Sequence, residues 1–448
     1  MNNNKKPWEY GKLKVSENGR YLTNGEKPFF WIGDTAWLLL DNLSLEETYI
    51  YLKNRKEKGF NIILLDLIHY LDQTNKKGST ALIDNNFAKP NLDHDFWDHA
   101  DQVIAMAEDL GMYMGILPVW ASSILDCGHF DGDSAKKYVS FVVDRYKECP
   151  HIIWVNGGDI KGDRDLELFG ELGKIFKKIT PDNLVTFHPF GRNTSSTWFH
   201  HEEWLDFNMF QSGHRRYDQA SLGTWDDNPI SGEYFGEDSW KYVEKDYGLA
   251  PLKPTIDGEP SYENVPQGLH DPSQPSWQAC DVRRYAYWSV FAGAMGHTYG
   301  HGSIMQFYND LAAKGAYGLN VQWQDALHHD GSSHMTHLAS LMNDINFTIG
   351  SQAEDLLVGP QKEKYDRIAT FASDEYILCY LYNHQEFELN LSSYKDKKLE
   401  MYWFDPVTGT YSYIDQVSGL EKLKIKTPKK PGLDHDWVLY IEVNSEKK

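Results

Sequence analysis

Between residues 29 and 304, short runs of bulky apolar residues recur eight times, and seven of the runs follow a stretch with helical spacing. The runs are FFWIGDTAW (29–37), FNIILLDLIHY (60–70), MYMGILPVW (112–120), HIIWVNGGD (151–159), NLVTFHPFGR (183–192), FNMFQSGH (207–214), KPTIDGEPSYE (253–263) and GHTYGHGSI (296–304). The stretches between them carry helix punctuation. In 44–59, Ser44 caps a span with Leu45, Tyr49 and Leu52 at helical spacing, and Gly59 stops it. Similar spans lie at 93–111, 133–149, 163–180, 196–205, around 236–248 and at 277–294. Short continuous apolar runs suit strands buried on both faces of a parallel sheet. Eight strand–helix alternations fit a closed (β/α)8 TIM barrel better than an open doubly wound sheet. No GxGxxG follows the first run, which removes the usual dinucleotide reading.

The pattern changes on either side of this region. Residues 12–28 (KLKVSENGRYLTNGEKP) predict an N-terminal β-hairpin. The stretch 306–350 is helical and closes the barrel. After about residue 350, 367–383, 399–414 and 436–443 alternate in period two with Asp-Pro and Thr-Gly turns between them, as in a small antiparallel β-sandwich. The expected division is a barrel over 1–350, hairpin included, and a β-sandwich over 351–448.

Composition excludes several partner classes. The 448 residues carry a formal charge of −21 and no basic stripe, so a nucleic-acid partner is not expected. The one lysine-rich stretch, KLKIKTPKKPG (422–432), reads as an edge strand and loop. Four widely spaced cysteines form no CxxC or Cys/His ligand spacing, so neither a disulfide framework nor a structural zinc is expected. No apolar run approaches the ~18 residues of a membrane span, and the first residues have no signal-peptide core. As given, the sequence reads as cytoplasmic, or secreted if a leader has been trimmed. Aromatic residues reach 14%, with 15 tryptophans, which permits ring stacking on sugar faces. The sequence does not determine the oligomeric state.

In a (β/α)8 barrel the chemistry sits at the carboxyl ends of the strands. Asp159 ends the fourth run and Glu259 the seventh, on strands that face each other across the barrel mouth. Such a pair suits glycosidic chemistry, which needs one protonated carboxyl to donate to the leaving oxygen and one ionised carboxyl to attack or stabilise the sugar centre. Burial and mutual repulsion would hold their pKa values apart. Other strand-end residues are candidate sugar contacts: Asp34, Trp37, His69, Trp120, Asn156, His188, Gln211, Tyr262, His297 and Tyr299. Several carry a structural alternative. Asp34 could be a helix cap or a barrel-floor salt bridge, His69, His188 and His297 could be structural histidines, and Trp37, Trp120 and Trp323 could be core. Asp66, mid-strand, reads as a structural charge pair.

The 18 histidines include two clusters, FHHEEW (199–204) and HHDGSSHMTH (328–337). Both fall on helices or loops, and the first strand ends Gly-Asp-Thr with no His-x-His. No metal and no cofactor are therefore expected, although His334 and His337 at i, i+3 could hold an adventitious ion. The rival readings are a non-catalytic carbohydrate-binding protein on the same barrel and, third, a metal-dependent barrel hydrolase.

The stretches KVSENGRYLTNGEKPFFWIGDTAW, LSLEETYIYLKNRKEKGFNII, PHIIWVNGGDI, DGEPSYE and DVRRYAYWSVFAGAMGHTYG resemble the apiosidase-like glycoside hydrolases, glycoside hydrolase family 140 and its relatives. The resemblance covers nearly the whole barrel. The tail YWFDPVTGTY…DWVLYI looks like the collagen-binding-type β-domain that commonly follows that catalytic domain. The resemblance implies a retaining glycosidase acting on apiosyl linkages of plant glycosides or oligosaccharides, with Asp159 as acid/base and Glu259 as nucleophile. It implies a carbohydrate substrate and leaves the sugar and the linkage open.

Overall fold

The computed structural model describes residues 5–219, 235–309, 315–319 and 321–444. The N-terminal segment forms three short antiparallel strands, β1 (Leu13–Val15), β2 (Leu22–Asn24) and β3 (Lys27–Phe29), one more than a hairpin. All eight apolar runs then become strands: β4 (Trp31–Thr35), β5 (Ile62–Asp66), β6 (Tyr113–Leu117), β7 (Ile152–Ile160), β8 (Val185–Pro189), β9 (Asn208–Phe210), β10 (Thr255–Asp257) and β11 (Gly296–Tyr299). Every ladder among them is parallel. The ladder is continuous in the order β11-β4-β5-β6-β7-β8, and β9 pairs with β10 as a second set.

Two seams separate these sets, and each is bridged without a ladder. At the first, the Asp206 amide donates to the Val185 carbonyl (2.9 Å) and the Thr186 hydroxyl to the Phe207 carbonyl (2.8 Å). At the second, the Met295 amide donates to the Thr255 carbonyl (3.0 Å). β4, β5 and β6 are buried along their whole length, as the unbroken apolar runs require.

Helices fill the intervals as their caps predict. Helix Leu45–Glu57 opens with a reciprocal capping box: the Ser44 hydroxyl accepts from the Glu47 amide, and the Glu47 carboxylate from the Ser44 amide. Its buried face is Thr48, Tyr51, Leu52 and Arg55. Tyr49, expected on that face, is exposed, because the helix turns the Arg55 guanidinium inward to a carboxylate on β4. Helix Gly132–Arg145 is capped in the same way by Asp131 and Ser134. The region 306–350 contributes helix Asp330–Asp344 and only short turns besides, among the described residues. No helix among the described residues is long and apolar enough to cross a membrane.

The first antiparallel strand of the C-terminal region, β12 (Ser351–Gln352), is followed by β13 (Ile368–Ala372), β14 (Tyr376–Leu381), β15 (Glu386–Asn390), β16 (Lys398–Asp405), β17 (Thr410–Ser418), β18 (Lys422–Lys426) and β19 (Trp437–Asn444). Six of them form a sheet in the order β12-β13-β14-β19-β16-β17, and β15 pairs with β18. Successive residues of a strand point to opposite faces. Ala369, Phe371, Leu378 and Tyr380 therefore join the core beneath helix Ala279–Phe291, while Ile368, Ile377, Cys379 and Leu381 join Leu389 of β15 in a second core. Both faces of β13 and β14 are buried. Tyr380 stacks on Tyr287 of the helix at 4.6 Å, and Arg283 pairs with Asp434 (2.7 Å) and Asp436 (2.8 Å). The lysines of β18 face solvent and pair with Glu386 and Glu388 of β15, so the basic stretch is an edge strand.

Candidate active site

The fourth run does not stop at its glycines. β7 continues through Asn-Gly-Gly-Asp to Ile160. Its ladder with β8 runs to Gly157↔His188 and resumes at Ile160↔Pro189, so Gly158 and Asp159 are looped out as a bulge. A bulge of this kind re-aims a side chain at a strand end. Gly158 adopts φ 114°, and a β-carbon there would lie 2.9 Å from the Ala121 nitrogen, so only glycine fits so close to the end of β6. Asp159 follows in the left-handed region at φ 46°, and its amide donates to His188 Nδ1 at 3.2 Å.

Glu259 lies two residues beyond β10 and is 7% exposed. Two imidazoles flank its carboxylate. His214 Nε2 lies 3.1 Å from Oε1, and His188 Nε2 lies 3.1 Å from Oε2 with its N–H axis directed off that oxygen. Burial by itself would raise this carboxyl's pKa. The neighbouring imidazoles of His188 and His214 outweigh it and hold Glu259 down at about 2. Asp159 behaves oppositely: burial, then the negative charge of Glu259, push it up to about 6 against the pull of the histidines and a hydrogen bond from Gln211.

Both carboxyls line one cavity of about 250 Å³. Aromatic rings build one wall. Trp37 and Trp120 lie 4.8 Å apart, and Trp37 Nε1 donates to the Tyr262 hydroxyl at 3.0 Å. His69 stacks on Trp120 at 5.1 Å, with its Nδ1 held 2.8 Å from Asp66. Asp66 thus fixes the orientation of a ring that lines the cavity.

Of the sequence-derived candidates, Asp159, Glu259, Trp37, His69, Trp120, Gln211 and Tyr262 line this cavity. Five do not, and the surroundings of each give the reason. Asp34 is fully buried beneath the strands, 2.5 Å from Arg55 Nε and accepting from the Tyr51 hydroxyl at 2.7 Å, which is the salt-bridge alternative. Asn156 donates to the Phe169 carbonyl (2.8 Å) and accepts from the Gly157 amide (3.0 Å), so both ends of its side chain serve the backbone. Tyr299 donates to Glu263 at 2.5 Å, away from the cavity. His297 is buried with neither ring nitrogen hydrogen-bonded, and burial lowers its pKa to about 3. His188 stands behind the wall, fully buried, with its ring edge-on to Trp37 and tilted against Trp120. Trp323 is core, packed on Phe307. His334 Nδ1 is occupied by Arg283 (2.8 Å), and among the described residues no group of three His, Cys, Asp or Glu is arranged to hold a metal ion.

Four further polar residues of the cavity, His214, Tyr70, Gln306 and Tyr317, lie outside the set of candidate sugar contacts. His214 follows Gly213 at the end of the sixth run, and that small residue at a strand end is the available signal. Tyr70 ends the second run at the rim, and Tyr317 comes from a turn after the eighth strand, where no strand-end rule reaches.

Residues 16–348 match the family model of the apiosidase-like catalytic domain. The chain belongs to the apiosidase-like family. A second model, named for a collagen-binding domain of a collagenase, matches residues 353–442 of this family member. Among solved structures, one named as a glycoside hydrolase is 39% identical, covers 99% of each chain and superposes with a TM-score of 0.92. A glycoside hydrolase family 5 protein from Bacteroides vulgatus ATCC 8482 is 38% identical over 98% of this chain and 95% of its own, also at TM-score 0.92. An α-amylase from Lactobacillus plantarum, 12% identical over 92% of this chain and 98% of its own, shares the fold at TM-score 0.52. No curated protein matches the chain.

Proposed function

We propose that this apiosidase-like chain is a glycoside hydrolase that acts with retention of configuration, built on a closed (β/α)8 barrel over residues 1–350 with a β-sandwich over 351–448. The observation that carries the reading is the opposite tuning of two carboxyls in one cavity: Glu259 is held ionised and Asp159 is biased toward its protonated form. The glycoside hydrolase names of relatives sharing more than a third of the sequence support it.

In the first step the Asp159 carboxyl gives its proton to the glycosidic oxygen as that oxygen leaves the anomeric carbon. Glu259 attacks the same carbon from the opposite side and forms a glycosyl ester. In the second step Asp159, now ionised, takes a proton from water. The water oxygen replaces Glu259 on the anomeric carbon, and the ester bond breaks. Trp37, Trp120 and His69 provide the flat wall for the sugar ring. The substrate class proposed is a plant-derived glycoside or oligosaccharide, with an apiosyl linkage first in line from the family.

A screen of aryl glycosides that includes apiosides tests the reading. Turnover by the native chain, with the first-formed product retaining its anomeric configuration by NMR, is the expected result. Glu259→Gln should abolish turnover and keep sugar binding measurable. Binding with no hydrolysis of any member, or full activity in Glu259→Gln, would sink the proposal.

A further inference from the structure

We propose that His188 is a positioning residue that ties the backbone of Asp159 to the carboxylate of Glu259 through one fixed imidazole tautomer. The inference rests on the glycosidase reading of those two carboxyls and assigns His188 a place behind the sugar site.

The ring is fully buried, does not line the cavity, and packs against both Trp37 (5.4 Å) and Trp120 (5.3 Å). Its Nδ1 accepts the Asp159 amide at 3.2 Å, so that nitrogen has committed its lone pair. A neutral imidazole has one donor and one acceptor nitrogen. The single ring proton therefore sits on Nε2, the nitrogen 3.1 Å from Glu259 Oε2. An imidazolium would set an Nδ1–H against the Asp159 N–H, donor to donor, and would break the bond that holds the bulge. The groups facing His188 are thus Asp159 on β7, Glu259 after β10, and the indoles of Trp37 and Trp120. Those facing Glu259 are His188, His214, Asp159, Tyr262, Tyr317 across the cavity and, from the strand beneath, Asp257. His188 touches both members of the carboxyl pair, one through its amide and one through its oxygen. A rotation of this ring would move the bulge and the carboxylate together.

Two substitutions divide the role. Asparagine can place an oxygen where Nδ1 accepts, and glutamine can place an N–H where Nε2 donates. His188→Asn should preserve the bulge and remove the Nε2–H that lies beside Glu259 Oε2. The expected result is a kcat lowered by ~10²-fold, the loss typical of small misplacements, with KM changed less than ~3-fold, and an acid limb of kcat/KM displaced upward by about one pH unit. His188→Gln should leave the acid limb in place while kcat still falls. A His188→Asn enzyme with raised KM, unchanged kcat and an unmoved limb would mark a sugar contact and overturn the proposal. Neutron diffraction of the native protein locates the ring proton directly and needs neither turnover nor a folded variant. A ring proton on Nε2 alone is expected, and a proton on Nδ1 would overturn the inference. If the native chain hydrolyses nothing, the glycosidase reading fails, and the neutron result still decides the tautomer.

Discussion

A β-carbon at Gly213 would sit 2.3 Å from the carbonyl carbon of Pro260. The backbone after β9 therefore lies directly on the backbone after β10, and the Gly213 amide donates to the Glu259 carbonyl at 3.3 Å. This contact sets His214 against the Glu259 carboxylate. Gly213→Ala has no flexible side chain to push aside, only peptide. Overpacking of this kind costs ~1–3 kcal/mol. The variant should melt several degrees lower and lose most of its turnover, because separating the two loops takes His214 off Glu259. Thermal unfolding and kcat measured together check it, and unchanged activity would show that the contact is incidental.

The pH dependence follows from the two carboxyls with opposite signs. Glu259, lowered to about 2 by its histidines, is ionised throughout the working range. Asp159, raised to about 6 by burial and by Glu259, loses its proton as the pH passes that value. A mechanism that needs protonated Asp159 and ionised Glu259 is active below the first limit and above the second. kcat/KM should form a plateau on the acid side and fall tenfold per unit above about pH 6. A profile still flat at about pH 8, roughly two units above that limit, would exclude Asp159 as the acid.

Replacing the proposed acid has a characteristic signature. Asp159→Asn keeps the bulge and removes the proton. Turnover of substrates with poor leaving groups should fall by ~10²–10⁴-fold, the usual worth of general acid catalysis. Aryl glycosides with acidic phenols, which leave without protonation, should suffer much less in the glycosylation step. Equal losses across a leaving-group series would contradict the role.

Asp34 offers a contrast, since it pairs with a buried guanidinium and does not line the cavity. Asp34→Ala strands the buried Arg55 guanidinium, and breaking a buried pair in this way costs ~3–5 kcal/mol. The change should appear in urea unfolding and leave KM of the surviving folded enzyme within a small factor. A selective rise in KM would restore the sugar-anchor reading.

The strands, the helices and the placement of Asp159 and Glu259 at one cavity were legible because their signals are local. An apolar run of five, a Ser or Asp cap and a Gly stop are each written in neighbouring residues. Which face a strand-end residue presents was not legible. Asp34 and Tyr299 are register partners on adjacent strands, so they share a face, and that face looks outward to Arg55 on the helix layer. His297, two residues before Tyr299, falls on the same side and is lost to the cavity for the same reason. Strand-end chemistry suggested all three as contacts, and parity excluded them. Asp159 escapes parity because the bulge breaks the period, which Gly-Gly hinted at without specifying. His214 and Tyr317 depend on loop approach, which no periodicity encodes.

The six-stranded C-terminal sheet has no face to offer water at β13 and β14: one side covers helix Ala279–Phe291 and the other covers β15 and β18. Cutting the chain near residue 350 would thus leave two sticky fragments in place of two proteins. The helix would show Tyr287 and Phe291, and the sheet would show Phe371 and Tyr380. For this fold, swapping the tail for an unrelated binding module would demand a new lining for the helix as well, so the tail behaves as a structural wall more than as an interchangeable attachment.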